Sequence, residues 1–374
     1  MSLDLTGLDV TADTAVLAAA VADAARLLPV KGIDPLLTGL LLSGQDDELV
    51  LSGTDRTNTV RLRRTAFVHT DGEVLVPAKP LADTLGALEE PEVRLVVEGS
   101  RLAIRTPGGR FALPLMDGEL HPGVGALPAA VGQVNAAELI TLVGKVASAA
   151  SRDDALPLFT GVHVQGRGDR LALVATDRYR MAIGDLPWQP EGELDVLVPA
   201  PLLIEVAKQA RTAEVITIHT DGSRFGLSWP GAQLGTVLLA SAFPDESRHT
   251  DAPVDAVVEV DGEALAGAVR RVAPYSGPRA VIAVELGDLG LRIRAADPQN
   301  GEAEETVKAT VDGDRFTNGY QARYLADALR VFGSARLRLS VRHGMRSTVI
   351  ALADVAEGEA NLRYVVMPIR MPSD

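Results

Sequence analysis

One interval, 122 residues, keeps returning in this chain of 374. Thr54-Asp55-Arg56 reappears as Thr176-Asp177-Arg178, and "VLVPAKPLADTL" at 74–85 reappears as "VLVPAPLLIEVA" at 196–207. "PLLTGLLL" at 35–42 matches "PLFTGVHV" at 157–164, and His121-Pro122 matches Phe243-Pro244. "PLADTL" at 80–85 returns as "YLADAL" at 324–329, twice the interval away, and Asp297 stands 120 residues after Asp177. Several matches at one spacing mean three copies of one unit of about 120 residues. That is far beyond the roughly 20–50 residues of a stacked solenoid motif, so each copy is a domain. The divisions expected are 1–127, 128–250 and 251–374, with Gly-, Pro- and Asp-rich linkers at 117–133 and 247–256.

Within one copy, residues 11–28 contain no Gly or Pro and put Leu17, Val21, Ala24 and Leu28 on one helical face. Segments with strand character follow at 36–43, 48–53 and 58–64, then "EVLVP" leads into a second helix at 79–88 with Pro80 in its first turn. Strands at 92–98, 101–106 and 110–116 close the unit. The pattern is strand–helix–three strands, stated twice. It predicts an α+β domain with two helices on one face of antiparallel sheet.

The composition is that of a soluble globular protein, 47% hydrophobic and 23% charged. With no cysteine there is no disulfide, thiolate metal site or cysteine nucleophile. "MSLDLTGLDV" lacks the features of a signal peptide, and no apolar run approaches the roughly 18 residues of a membrane span, so a cytoplasmic location without membrane association is expected. Catalytic motifs for acyl transfer, zinc hydrolysis and phosphate binding are missing, and the six histidines are scattered. "GRGDRL" at 166–171 reads as a hairpin turn, and the acidic pairs Asp46-Asp47, Glu89-Glu90 and Glu304-Glu305 read as solvated charge. Neither enzymatic chemistry nor a cofactor or metal is expected.

The net charge of −14 excludes a protein that coats nucleic acid with a basic face. The cations are nevertheless placed unevenly. Lys31, Lys79, Lys145 and Lys208, with Arg26, Arg152, Arg211, Arg270, Arg271, Arg323 and Arg330, lie in or beside all six predicted helices. Shared by equivalent units, this suggests one basic surface built of helices.

Taken together, "LVLSGTDRTNTVRL", "LALVATDRYRMAI", "LRIRAADPQNGEAEETV" and the terminal "YVVMPIRM" resemble the bacterial replicative sliding clamp family, the beta subunit of DNA polymerase III. The resemblance runs the length of the chain. It implies a homodimer joined head to tail into a six-domain ring, sheets outside and helices lining a hole that encircles duplex DNA regardless of sequence. Such a ring tethers the polymerase III catalytic subunit and other clients and confers processivity. A lining only weakly basic suits sliding, because strong phosphate neutralisation would stop it. The resemblance also implies a groove for short peptides of the Q-x-x-L-F or Q-L-x-L-F kind, carried by the polymerase, the clamp loader and other clamp-motif proteins. Its residues here are Phe159, Thr176, Arg178, Tyr179, Arg180, Met181, Pro244, Arg248, Gln321, Tyr324, Val365, Val366, Met367, Pro368, Ile369, Arg370 and Met371. The eleven cations above correspond to the lining. Four departures stand out: Arg178 where the family commonly has Gly or Ser, His121 in place of a Phe, "SGPRAVIAV" at 276–284 without its usual anchor, and three extra residues, Pro372-Ser373-Asp374. An alternative to the replicative clamp is a specialised copy that protects against a clamp-binding peptide antibiotic.

Overall fold

Asp13 shows how the first helix is set. Its carboxylate accepts a hydrogen bond from the Val16 N–H at 2.8 Å, so helix α1 runs Thr14–Ala25 and the preceding residues, Asp9–Asp13, form a strand. The helix is therefore shorter at both ends than its apolar pattern suggests, and the opening strand is one the pattern does not reveal. The computed structural model of the chain describes residues 7–32, 34–354 and 361–371; the Pro372-Ser373-Asp374 extension and the first six residues lie outside it.

The other helices are α2 (Ala78–Gly86), α3 (Ala136–Val146), α4 (Ala200–Gln209), α5 (Ser247–Thr250), α6 (Gly262–Val272) and α7 (Ala322–Arg330). Six of these seven are the ones anticipated. The exception, α5, is a single turn inside the stretch expected to be an irregular linker.

The strand–helix–three-strand motif does occur twice in each repeat. In the first it comprises Asp9–Asp13, α1 and the strands Gly39–Gln45, Glu48–Thr54 and Asn58–Thr65. It recurs as Gly72–Pro77, α2 and the strands Glu92–Glu98, Arg101–Thr106 and Gly109–Pro114. The two motifs exchange their leading strands. Asp9–Asp13 pairs with Glu92–Glu98 of the second motif, and Gly72–Pro77 pairs with Gly39–Gln45 of the first. The same exchange joins Ala130–Asn135 to Val215–Thr220 and Asp195–Pro199 to Gly161–Arg167. It appears a third time, joining Ala256–Asp261 to Arg336–Val341 and Thr317–Gln321 to Val281–Gly287. All these pairings are antiparallel.

Turn chemistry fixes the registers. Asp46 and Asp47 both have positive φ, 50° and 58°, as a two-residue hairpin turn requires, so this acidic pair is a turn. "GRGDRL" turns between Gly161–Arg167 and Arg170–Thr176, with Gly168 at φ 61°.

Compact units do not follow the repeat. One comprises residues 1–140, 189–194 and 201–238; the other comprises 141–188, 195–200 and 239–374. In the first, the edge strand Asn58–Thr65 pairs with Ala232–Val237, making one sheet from two repeats. In the second, Arg180–Pro190 pairs through its first six residues with Asn361–Val366, again joining two repeats. Each unit buries apolar side chains, including Leu17, Val21, Leu40, Leu51 and Leu85 in the first. The core of the second includes Val174, Ile183, Ile293, Ile350 and Val365.

Candidate functional site

The turn Thr176–Arg180 follows directly from its side chains. The Thr176 hydroxyl accepts from the Arg178 N–H at 3.1 Å and donates to the Arg180 carbonyl at 2.7 Å. Asp177 Oδ1 accepts from the N–H groups of Tyr179 and Arg180, both at 3.1 Å. Short polar side chains thus satisfy the backbone where the strand reverses. Thr54–Asn58 in the first repeat is built identically, from Thr54 Oγ1 and Asp55 Oδ1. The repeated Thr-Asp-Arg triplet is this turn.

Arg180 leaves the turn for the interior of the second unit. Its side chain pairs with Asp177 at 3.1 Å and Asp327 at 2.6 Å, and donates to the Ser148 carbonyl at 3.0 Å. Burial opposes its charge, but the carboxylates of Asp177 and Asp327 beside it favour the protonated guanidinium, and its pKa is raised. Burial also pushes the Tyr364 phenol up to about 12, so it stays neutral. Tyr179, half exposed, stacks on Tyr324 with ring centroids 5.5 Å apart and 12° between planes. Arg178 projects over the rings of Phe159 (5.7 Å) and Tyr179 (5.6 Å).

The terminal strand completes the site. Val366 is opposite Arg180 and Val365 opposite Met181. After Val366 the ladder stops: the Met367 N–H donates to the Tyr179 carbonyl at 2.9 Å, and the Ile369 N–H donates to the Gly319 carbonyl at 2.8 Å. Pro368 between them has no N–H to contribute and is buried. A side chain at Gly319 would meet the Ile369 carbonyl oxygen at 2.8 Å and Met371 Cγ at 2.9 Å, so glycine lets the tail lie close. Val174, Met181, Ile183, Val349 and Val365 form an apolar floor with Phe243 packed against it. Phe243 also stacks on His163 at 5.1 Å. Alongside is a depression of about 790 Å³ lined by Ser148, Arg152, Asp153, Arg178, Tyr179 and Arg323, among others.

The groove residues expected from the resemblance thus fall into three groups. Phe159, Arg178, Tyr179, Arg180 and Tyr324 surround the depression or stack beside it. Thr176, Met181, Val365, Val366 and Pro368 are buried and act from below. Met367 and Ile369 are half-buried, and Arg370, Met371, Pro244 and Arg248 are exposed, Arg248 on α5. Gln321 directly precedes α7, and its side chain makes no capping hydrogen bond there. Sequence reasoning left out Asp327, Ser148 and Phe243. The "YLADAL" repeat contains Asp327 and the 122-residue match contains Phe243, but neither reveals which way a side chain turns.

Of the eleven cations, all but half-buried Lys145 are exposed, and each is on a helix or within six residues of its end. Several already have partners. Arg26 bonds Asp23 and the buried Glu205, the latter at 2.6 Å, and Lys208 bonds the same Glu205 at 3.1 Å. Burial works to raise the Glu205 carboxyl, but hydrogen bonds from Gln209, Arg26 and Lys208 hold it below its ordinary value. Lys79 pairs with Asp83, Arg271 with Glu305 at 2.6 Å, and Arg330 with Asp327 at 3.1 Å. Arg323 donates to the Tyr324 hydroxyl at 2.6 Å. Lys31, Lys145, Arg152, Arg211 and Arg270 have no ion pair among the described residues. Arg152, Arg323 and Arg330 line the depression beside Arg178. The described residues hold no metal-ligating cluster, and none of their helices is long and apolar enough to cross a membrane.

Three copies of a paired, strand-exchanged motif with a groove beside the last strand define a protein of clamp type. Similarity to known proteins makes the assignment specific. The N-terminal, central and C-terminal domains of the DNA polymerase III beta subunit match residues 8–125, 133–245 and 251–370. The beta sliding clamp of Streptomyces coelicolor is 30% identical over 366 residues, covering 95% of this chain and 97% of that protein. The beta sliding clamp homolog GriR of Streptomyces muensis is 29% identical over 362 residues, covering 95% and 97%. A Pseudomonas aeruginosa sliding clamp crystallised with griselimycin superposes with TM-score 0.90 at 25% identity, covering 98% of this chain and all of that one. The Thermotoga maritima beta subunit superposes with TM-score 0.91 at 23% identity, covering 98% and 100%. The chain belongs to the DNA polymerase III beta subunit family, the bacterial beta sliding clamps.

Proposed function

We propose that two copies of this sliding clamp join head to tail around duplex DNA, in the cytoplasm, as a processivity factor without catalytic activity of its own. The clamp domains are 1–127, 128–250 and 251–374. The chain holds the replicative polymerase, the clamp loader and other clients through the groove beside the terminal strand. One observation carries the client-binding part of this reading. The strand Asn361–Val366 ends against the turn Thr176–Arg180, presenting Met367 and the following residues next to Tyr179 and the apolar floor. Two or three apolar anchors of a client peptide would each contribute about 1.5–3 kcal/mol when buried. After ordering costs, affinity on the order of micromolar follows, which suits clients that exchange.

The test is anisotropy of a fluorescent Q-L-x-L-F peptide. Binding should weaken at least tenfold, about 1.4 kcal/mol, in Met367→Ala or on deletion of residues 367–374, while the dimer persists. Unchanged affinity in the deletion would remove the groove assignment. The second reading is a specialised copy with a narrowed client or antibiotic range, and Arg178 at the groove is what favours it. Restoring growth of a host depleted of its own clamp would support the replicative role; failure to do so with intact peptide binding would support the specialised one.

A further inference from the structure

Each repeat puts a carboxylate at the same place on its second helix. Asp83 on α2, Glu205 on α4 and Asp327 on α7 follow one another at intervals of 122 residues. All three hold cations that the resemblance assigns to the lining. Asp83 pairs with Lys79, Glu205 with Arg26 and Lys208, and Asp327 with Arg330. A surface built only to attract phosphate would not carry an acid among its cations in every repeat, because each ion pair made within the protein competes with one made to DNA.

The three carboxylates differ in how freely they can let go. The side chain of Asp83 is 62% exposed and can swing into water, that of Asp327 is 31% exposed, and that of Glu205 only 7%. Glu205 Oε1 accepts from Arg26 Nε at 2.6 Å and from Gln209 Nε2 at 2.9 Å, and Oε2 accepts from Lys208 Nζ at 3.1 Å. Asp23 holds Nη2 of the same Arg26, and Gln209 also donates to the Asp23 carbonyl at 3.2 Å. Two cations thus face two carboxylates, and the cluster is neutral. A buried carboxylate cannot leave its donors without a large desolvation cost. A phosphate that approaches Arg26 or Lys208 therefore meets a competitor that stays in place. Lys31 and Arg211, a few residues beyond them in the chain, have no such partner among the described residues.

We infer that this acidic position is a resident counter-charge: Glu205 above all occupies Arg26 and Lys208, so that they pass DNA phosphates without holding them, and the clamp keeps sliding. Glu205 is a positioning residue that acts through these two cations. The inference rests on the reading of the protein as a ring around duplex DNA, and it adds which residue sets the friction of that ring.

The experiment places the full-length protein, with a clamp loader, on long stretched DNA with blocked ends and follows its one-dimensional diffusion by single-particle tracking. At low salt Glu205→Gln should slow diffusion about two- to fivefold, the size of one exposed ion pair gained. The difference should shrink as salt screens the new contacts. Adding Arg26→Gln and Lys208→Gln to Glu205→Gln should abolish the slowing. Glu138, exposed on α3 and without an ion pair among the described residues, is the charge control. Glu138→Gln removes the same charge, frees no cation and should leave diffusion nearly unchanged. Unchanged sliding in a folded Glu205→Gln dimer, equal slowing in Glu138→Gln, or slowing that survives loss of both cations would overturn the inference while leaving the ring in place. Should Glu205→Gln fail to give a folded dimer, Asp83→Asn decides. It frees Lys79 from an exposed pair and should slow sliding by a smaller factor, and an unchanged rate would overturn the inference. If the unmodified protein is not retained on blocked DNA, the encircling reading falls, and this inference with it.

Discussion

His121 occupies the place in the first repeat that Phe243 has in the second, and it is buried like one. Its Nδ1 accepts from the Gly123 N–H at 3.1 Å, and Nε2 has no partner among the described residues. Burial lowers its pKa, opposed only in part by Asp34, so the ring is neutral in the fold. For a histidine with a lowered folded pKa, stability falls once pH drops below the unfolded value of about 6.5 and keeps falling until the folded value is passed. Thermal melts at pH 7 and 5.5 should therefore show a loss that His121→Phe reduces. At neutral pH the variant removes an unpaired buried nitrogen but also the acceptor of the Gly123 N–H, so its stability there should change by less than about 1 kcal/mol. Equal pH dependence in both proteins would contradict this account. Gly319 gives a second prediction: Gly319→Ala should push the tail off its strand and weaken peptide binding severalfold, read by the same anisotropy assay, because its Cβ would meet the Ile369 carbonyl at 2.8 Å.

Helices in this chain are held mostly through their apolar faces, but α1 and α4 also share a polar clasp. Glu205, on α4, is buried and bonds Arg26 just past α1, with Lys208 and Gln209 on its own helix. Glu205→Gln should cost about 1–3 kcal/mol, since it weakens a charge-assisted network and leaves Arg26 with Asp23 alone. A carboxylate with a depressed folded pKa contributes stability above its unfolded value and loses it as pH falls through the folded one. Acid unfolding below about pH 4.5 should thus be shallower in Glu205→Gln, as followed by circular dichroism. Asp23 acts in the opposite sense, because burial outweighs Arg26 and raises its pKa. The acid loss in the unmodified protein is accordingly smaller than Glu205 alone would produce.

At the level of the whole molecule, the proposed head-to-tail dimer is a closed two-fold assembly, and it has a measurable mass. Light scattering at micromolar concentration should give twice 39.4 kDa. A stable monomer throughout would count against the clamp. With −14 per chain, retention on DNA should depend on topology: loaded onto a nicked circle the protein should stay, and cutting the circle should release it. Charge reversal tests the lining, but the choice of residue matters. Arg26→Glu would set a second carboxylate against buried Glu205 and destabilise the fold. Lys31, Lys145 and Arg211, with no ion pair among the described residues, are the cleaner positions for loss of loading without loss of folding.

The sequence alone carried the threefold repeat, six helices and the paired strand–helix–three-strand motif except for its opening strand, because each rests on short-range periodicity or on a spacing that can be counted. It also carried the repeated Thr-Asp-Arg triplet, but that the triplet is a turn came from hydrogen bonds within five residues. By resemblance it named the terminal segment as part of a groove. Only the tertiary structure decided that the motifs exchange leading strands, and that sheets run from one repeat into the next, so that compact units cut across the repeats. Strand pairing between residues 180 and 366 is a long-range choice set by edge matching and core burial, and no local pattern encodes it. For the same reason the partners of cations were hidden. Arg26 finds a carboxylate 179 residues away and Arg180 one 147 residues away, while Arg178, in the same turn as Arg180, finds none among the described residues.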